Sequence, residues 1–285
     1  MTSLELLGHP FAEYVTHDQE FRFAGVMRND ACLAYVQEGK QEIYSATQKI
    51  ITRGKESVLM KCGNYISSFK DASPISKFRS VVFHLDPAAI RIAFDDKGLE
   101  FLSIDKSRPP RDPALKMEKN VLLDSFVTSM MPYFDNPGLV KEELLLLKLK
   151  ELVYILSNFG QNQVVNQSLA TLYDPEEIAF DEIISANLYN NLSIAELGHL
   201  TARSESSFKR DFKKWYNESP AIYFKTKRLQ KAADLLANST FPIREIAWEC
   251  GFENPAHFSD SFRKNYGLAP RDFRESPSKG HLANN

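Results

Sequence analysis

The chain has 285 residues, of which 43% are apolar and 25% charged, with a net charge of −2. That length allows two domains and that composition predicts globular order, while the near-neutral charge excludes a wholly basic nucleic-acid coat protein. The charge is uneven, 20 basic against 24 acidic side chains in residues 1–180 and 15 against 13 in residues 181–285, so any DNA contact must come from local placement of Lys and Arg.

Residues 1–20 read as an arm with little periodicity. Met1 to Pro10 has neither the basic nor the apolar region of a signal peptide. The three cysteines, Cys32, Cys62 and Cys250, are odd in number and far apart, which fits reduced thiols in a cytoplasmic protein. Phe21 to about Leu85 is a series of short β-prone runs broken by Gly-containing turns: Ala31–Val36, Glu42–Tyr44, Gln48–Ile51, Val58–Met60, Tyr65–Ile66 and Phe78–Leu85. This spacing predicts a small antiparallel barrel or sandwich that either encloses one small ligand or is filled by side chains. Strand facing is open by one residue, which inverts every side chain, so pocket residues stay unassigned.

From Asp86 the texture becomes helical. Asp86-Pro87 opens a short helix, and Ser107 to Pro113 is a Pro-rich loop. Lys116 to Met131 is a helix burying Met117, Val121, Phe126 and Met130, and Asn136-Pro137-Gly138 ends it. Glu142 to Leu156 is Leu-rich, and Leu145, Leu149, Leu152 and Leu156 fall at 4-3-4 spacing, the seam of a helix pair. That seam serves an intramolecular partner, a second subunit, or both, and these four leucines are the candidate dimerisation residues. The most apolar run, Leu144 to Leu147, is too short to span a membrane. Polar residues 158–173 form the expected linker between a regulatory and dimerisation domain, 1–157 (barrel 21–85, helices 86–157), and a C-terminal domain, 174–276, with 277–285 as a tail. Asp174-Pro175-Glu176-Glu177 reads as a helix start, and Ile178, Ile184 and Leu188 line that helix.

Two similar units follow, about 193–214 and 241–264. In the first, Ile194 and Leu197 face inward from a short helix, a break comes at Thr201-Ala202-Arg203, and Ser204 caps a second helix. Phe208 and Phe212 pack that helix down, with Trp215 near the same side, leaving Ser206, Lys209, Arg210 and Lys213 outward. An apolar back with long donors in front is what a DNA recognition helix needs; an ordinary solvated face has the same pattern. Ser219-Pro220 opens a helix running to about Ala237, roughly 28 Å long. Major grooves on one side of DNA recur every ~34 Å, so this helix suits two reading heads on successive grooves. Phe241-Pro242 starts the second unit, with Ile243, Ile246 and Ala247 inward, Gly251 at the break, and Phe258 and Phe262 repeating the apolar pair.

Arg228-Leu229, Ala232, Leu235-Leu236, Ile243, Ile246-Ala247, Gly251-Phe252, Phe258, Phe262, Gly267, Pro270 and Arg274 fall in the order and spacing of the signature of the AraC/XylS family of bacterial transcription regulators, which the last 100 or so residues resemble. The resemblance implies an α+β chain: an N-terminal cupin-like β-barrel with a helical dimerisation region, then an all-α domain of two helix-turn-helix units joined by a long helix. It also implies double-stranded DNA as partner, RNA polymerase as a further one, a homodimer, and an activator answering to a small molecule or to a partner protein. Carried over by position, Ser204, Ser206, Lys209 and Arg210 serve the first recognition helix, with Lys213 near phosphate. Asn254, Pro255, Ala256 and Ser259 take the groove-facing places of the second, with Lys264 at a phosphate. Two departures stand out: Ala202 where the family often has Gly, and Asp260 where its charge repels phosphate. The first unit is therefore expected to supply most of the sequence reading.

A cupin-type enzyme with a DNA-binding domain is the alternative of another class. It needs a His and carboxylate cluster on facing strands, whereas His9 and His17 lie in the arm and His84 stands alone in a strand, read as a packed residue. No phosphate loop or catalytic triad spacing appears. Neither enzymatic activity nor a metal or other cofactor is expected, and Cys62 reads as a small hydrophobe rather than a redox sensor.

Overall fold

The computed structural model describes residues 2–27, 31–61, 63–70, 77–94, 113–158, 165, 169 and 178–276. The chain divides into two compact units, Met1–Ile178 and Ala179–Asn285.

The first unit holds ten described strands: β1 (Thr2–Leu6), β2 (His9–His17), β3 (Phe21–Met27), β4 (Cys32–Glu38), β5 (Lys40–Tyr44), β6 (Lys49–Arg53), β7 (Ser57–Met60), β8 (Gly63–Lys70), β9 (Phe78–His84) and β10 (Ala114–Met117). They form two antiparallel sheets, one ordered β1-β2-β9-β4-β7-β10 and the other β3-β8-β5-β6. Cys32, Ala34, Val58, Met60 and Ala114 of the first sheet share a core with Ile43, Ile50 and Tyr65 of the second. The opposite face of the first sheet, through Leu33, Tyr35, Leu59, Val81 and Phe83, packs against three helices, α1 (Pro87–Ala93), α2 (Val121–Asp135) and α3 (Glu142–Ser157). Asp86 caps α1, its Oδ1 accepting from the Ala89 amide at 2.8 Å.

Several expectations need correction. Residues 2–17 are a hairpin on the six-stranded sheet rather than an arm, because Leu4, Leu6, Phe11 and Ala12 extend the apolar face the helices cover. The helix expected from Lys116 starts at Val121. Ala114–Met117 instead pairs with β7, and Val121, expected inside, is 80% exposed. The seam leucines Leu145, Leu149, Leu152 and Leu156 are all buried in the intramolecular core, where α3 covers the sheet, so they are not available to a second subunit. The apolar positions that α3 leaves exposed are Leu144, Leu147 and Tyr154. His84 is partly buried in β9 with Nε2 3.1 Å from Glu13 Oε2.

Of the expected linker, residues 159–164, 166–168 and 170–173 lie outside the described residues, as do the loop 107–112, Cys62, the helix start 174–177 and the tail 277–285. Val165 and Leu169 are helical and buried in the first unit's core, so the chain is still packed there within the span assigned to a linker. Among the described residues no helix is long and apolar enough to cross a membrane, and no group of three metal-capable side chains occurs.

Removing a seam leucine should open a cavity under the sheet, whereas an exposed position of the same helix should tolerate change. Leu149→Ala is expected to cost about 3 kcal/mol and the exposed Glu143→Gln less than about 0.5 kcal/mol, read from urea unfolding by far-UV circular dichroism. Equal losses would refute the assignment of the buried face.

Candidate nucleic-acid interface

The second unit is helical: α4 (Phe180–Ala186), α5 (Ile194–Leu200), α6 (Glu205–Tyr216), α7 (Pro220–Asn238), α8 (Ile243–Glu249), α9 (Pro255–Tyr266) and α10 (Pro270–Glu275). α5 opens with a capping box: Ser193 accepts from the Glu196 amide, and Glu196 Oε2 accepts from the Ser193 amide at 2.7 Å. Its end is a tight turn in which the Arg203 amide donates to the Gly198 carbonyl at 2.8 Å, with Ala202 left-handed at φ 54°. Ser204 then caps α6, accepting from the Ser207 amide at 3.3 Å.

The second pair of helices repeats this construction. The Phe252 amide donates to the Ala247 carbonyl at 2.9 Å across a turn with Gly251 at φ 78°. Asn254 caps α9, its Oδ1 accepting from the Ala256 amide at 2.8 Å and the His257 amide at 3.3 Å. Both recognition-type helices end on a left-handed residue, Asn217 and Gly267, followed by a new helix opening on proline, Pro220 and Pro270. The second turn is one residue longer between its left-handed position and its cap. Two helix-turn-helix units joined by the 19-residue α7 is therefore the observed architecture.

Phe208 and Phe212 are fully buried, as are Phe258 and Phe262. Their burial turns the opposite side of each helix to solvent. On α6 this exposes Ser206, Lys209, Arg210 and Lys213, as expected, and also Lys214. Lys209 is tied to Glu205 one turn earlier, and Arg210 Nε lies 3.5 Å from Asp211 Oδ1 with its side chain three-quarters exposed. Asp211 is held more firmly by Arg203 at 3.0 Å, and that hydrogen bond keeps its carboxyl below the usual carboxylate range. Arg203 also donates to the Thr201 carbonyl and covers the Phe180 ring at 4.7 Å, so it braces the turn. Trp215, expected near the buried side, is 64% exposed: it sits in the last turn, beyond Phe212, with the Phe180 ring centroid 6.3 Å from its own.

The second helix carries fewer free donors. Asn254 has its oxygen committed to the cap, Pro255 is partly buried, and Ser259 donates back to the Pro255 carbonyl at 2.9 Å. Ala256 and Lys264 are exposed as expected, together with Asp260. Sequence reasoning missed His257 and Arg263, both exposed on α9, and Lys214 on α6. Extending the 3.6-residue period outward from the phenylalanine pairs would have found them.

Residues 197–276 match the model of a helix-turn-helix domain and residues 31–167 that of the ExsA N-terminal regulatory domain. Curated relatives include the probable transcriptional regulator LumQ of Photobacterium leiognathi, 32% identical over 34% of this chain and 39% of that protein. The transcriptional regulator GbdR of Pseudomonas aeruginosa is 34% identical over 34% and 27%. The transcriptional activator RhaS of Citrobacter koseri is 31% identical over 50% and 48%. The matched part is thus less than half the length of each of these relatives. Among solved structures, the DNA-binding domain of AdpA in complex with a target DNA is 24% identical, covering 35% of this chain and 92% of that one with a TM-score of 0.33. ToxT of Vibrio cholerae O395 is 13% identical, covering 93% and 96% with a TM-score of 0.36.

The two left-handed turn residues should respond oppositely to substitution. Ala202→Gly relieves a strain that the extra chain entropy of glycine only partly offsets, for a gain of about 0.5–1 kcal/mol. Gly251→Ala adds the same strain plus a backbone clash, for a loss of about 2 kcal/mol or more. Both tryptophans, Trp215 and Trp248, lie in this unit, so tryptophan fluorescence during denaturation reads the effect selectively.

Proposed function

The chain belongs to the AraC/XylS family of bacterial transcription regulators, and from that premise we propose that it activates transcription by reading two successive major grooves, under the control of an effector at its N-terminal unit. DNA binding and transcription regulation follow from the family itself. The observation that carries the finer reading is the pair of recognition-type helices, built on the same turn and each turning an exposed basic face away from a buried phenylalanine pair. The groove recurrence of ~34 Å suits the span of α7. α6 is the stronger reader, because it exposes four cations, Lys209, Arg210, Lys213 and Lys214, where α9 exposes Arg263 and Lys264 with Asp260 among them. The protein acts in the cytoplasm, where the DNA is, and recruits RNA polymerase. A second copy of the chain packs on the exposed side of α3, through Leu144 and Leu147.

Effector control by a small molecule is supported by the inside of the barrel. Gln41 Oε1, Thr52 Oγ1 and Ser80 Oγ are buried without a hydrogen-bond partner among the described residues. The two-residue period of a strand puts them on the inner face with Ile43, Ile50 and Val82. Each unmet group costs about 1–3 kcal/mol, which a small polar ligand bearing donors would recover. Control by a protein partner is the second reading. It is favoured by the exposed Phe21 and Phe23 of edge strand β3, which stack with His17 and Phe69.

Arg210→Ala is expected to weaken specific DNA binding by roughly 10- to 100-fold, the worth of one arginine contact to guanine. Asn254→Ala loses a helix cap worth about 1 kcal/mol of stability and should change binding only a few-fold. A titration showing equal losses would overturn the ranking of the two units. A melting-temperature screen against small polar metabolites separates the effectors: a concentration-dependent rise supports a ligand in the barrel, and a flat response across the screen points to the protein partner.

A further inference from the structure

Arg228, in the middle of α7, makes three hydrogen bonds to main-chain carbonyls. Nε donates to Leu188 at 3.1 Å and Nη2 to Asn190 at 2.7 Å, both in the loop that leads into the first helix-turn-helix unit. Nη1 donates to Gly251 at 3.2 Å, in the turn of the second unit. The guanidinium thus bridges a seam between the two units, and the seam is in backbone contact. A Cβ at Gly251 would stand 2.5 Å from the Tyr189 carbonyl oxygen. A second cation crosses the same seam. Lys231 Nζ lies 4.0 Å over the Tyr189 ring on one side and donates to the Glu249 carbonyl at 3.1 Å on the other. Beside the seam is a cleft of about 450 Å³ bordered by Ser193 of the first unit, Lys225 of α7, and Asn254 and His257 of the second.

α7 alone fixes how far apart the units stand but not how each is turned about the helix ends, where the chain leaves helical geometry at Asn217–Ser219 and at Ser239. The seam supplies the missing constraint, because it ties the loop before one unit to the turn inside the other at their midpoint. Resting on the DNA-binding reading above, we propose that Arg228, with Lys231 beside it, is the positioning residue that locks the two recognition helices into one relative placement, so that the protein accepts paired half-sites at a single separation. Neither residue needs to touch DNA for this. Lysine in place of Arg228 keeps the charge but lacks the planar fork that satisfies carbonyls on both sides of the seam.

The test is a selection from a random-sequence duplex library with the full chain, as wild type, Arg228→Lys and Lys231→Gln. The wild type is expected to enrich two sequence motifs at one separation. Arg228→Lys should enrich the same motifs over a range widened by two or more base pairs and bind the wild type's best tandem duplex about 10-fold more weakly, as linkage between the heads loosens. Its binding to a duplex carrying only the first motif should stay within about 2-fold of wild type. Lys231→Gln should show the same widening to a smaller degree. Arg228→Lys that keeps a single separation overturns the proposal. So does a loss of single-motif binding equal to the loss of tandem binding in both variants, which would mean that the seam only keeps the domain folded. A wild type that enriches no motif fails the DNA-binding reading itself and takes this inference with it.

Discussion

α7 is the wall that both helix-turn-helix units lean on. A unit of two short helices buries too little apolar surface to hold itself together, and each borrows from this helix. Its N-terminal half gives Phe224, 5.9 Å from the Phe212 ring, to the first unit. Its C-terminal half gives Leu229, Ala232, Ala233 and Leu236 to a core with Ile246, Phe258 and Phe262. One helix cannot present two apolar stripes along its length without leaving its middle available to something else, and the something else is Arg228. The polar crossing at the centre of α7 is a consequence of this shared packing: the two cores end there, and the carbonyls of two irregular segments meet where no helix ladder satisfies them.

The N-terminal unit solves a related problem with a sheet. Its six-stranded sheet is covered on one face by helices and on the other by the four-stranded sheet, so β4 from Cys32 to Val36 is buried at every position. A strand buried on both faces loses the polar alternation that marks a half-exposed one. It also makes the leucines of α3 structural. They join the same core as Tyr35 and Phe83, and where α2 meets the sheet the polar atoms are met in place: the Tyr35 hydroxyl donates to Asp124 at 2.7 Å, and Lys55 pairs with the same carboxylate.

How legible the molecule is in its sequence depends on the length of each pattern. The helix-turn-helix units announce themselves because phenylalanine pairs, caps and breaks recur at fixed offsets over a hundred residues. The N-terminal hairpin does not, because its turn is Leu7-Gly8 with Leu7 at φ 55°, a residue that gives no turn signal and sits in a conformation leucine rarely takes. β10 is four residues, Ala-Leu-Lys-Met, all good helix formers, and only the free edge of β7 makes it a strand. The seam leucines were legible as a seam but not as to what lies across it, since 4-3-4 spacing describes a face and is silent about its partner. At the recognition helices, the sequence marks which side chains point outward. It does not mark which are already spent, and the cap bonds of Asn254 and the back-bond of Ser259 are invisible until the turn geometry is known.

The two turns show how one motif diverges under different neighbours. The first places Ala202 in the left-handed region, exposed, where a methyl group costs strain but meets no obstacle. The second places Gly251 there, buried against the Tyr189 carbonyl, where a methyl group has no room. Backbone conformation alone would favour glycine at both positions equally, so the difference between them records packing rather than dihedral preference. Glycine is required where the second turn closes on the loop before the first unit, which is also where Arg228 fastens. The steric demand at position 251 and the hydrogen bonds of the guanidinium therefore express one constraint: the two reading heads are held at the seam, and α7 alone does not set their relation.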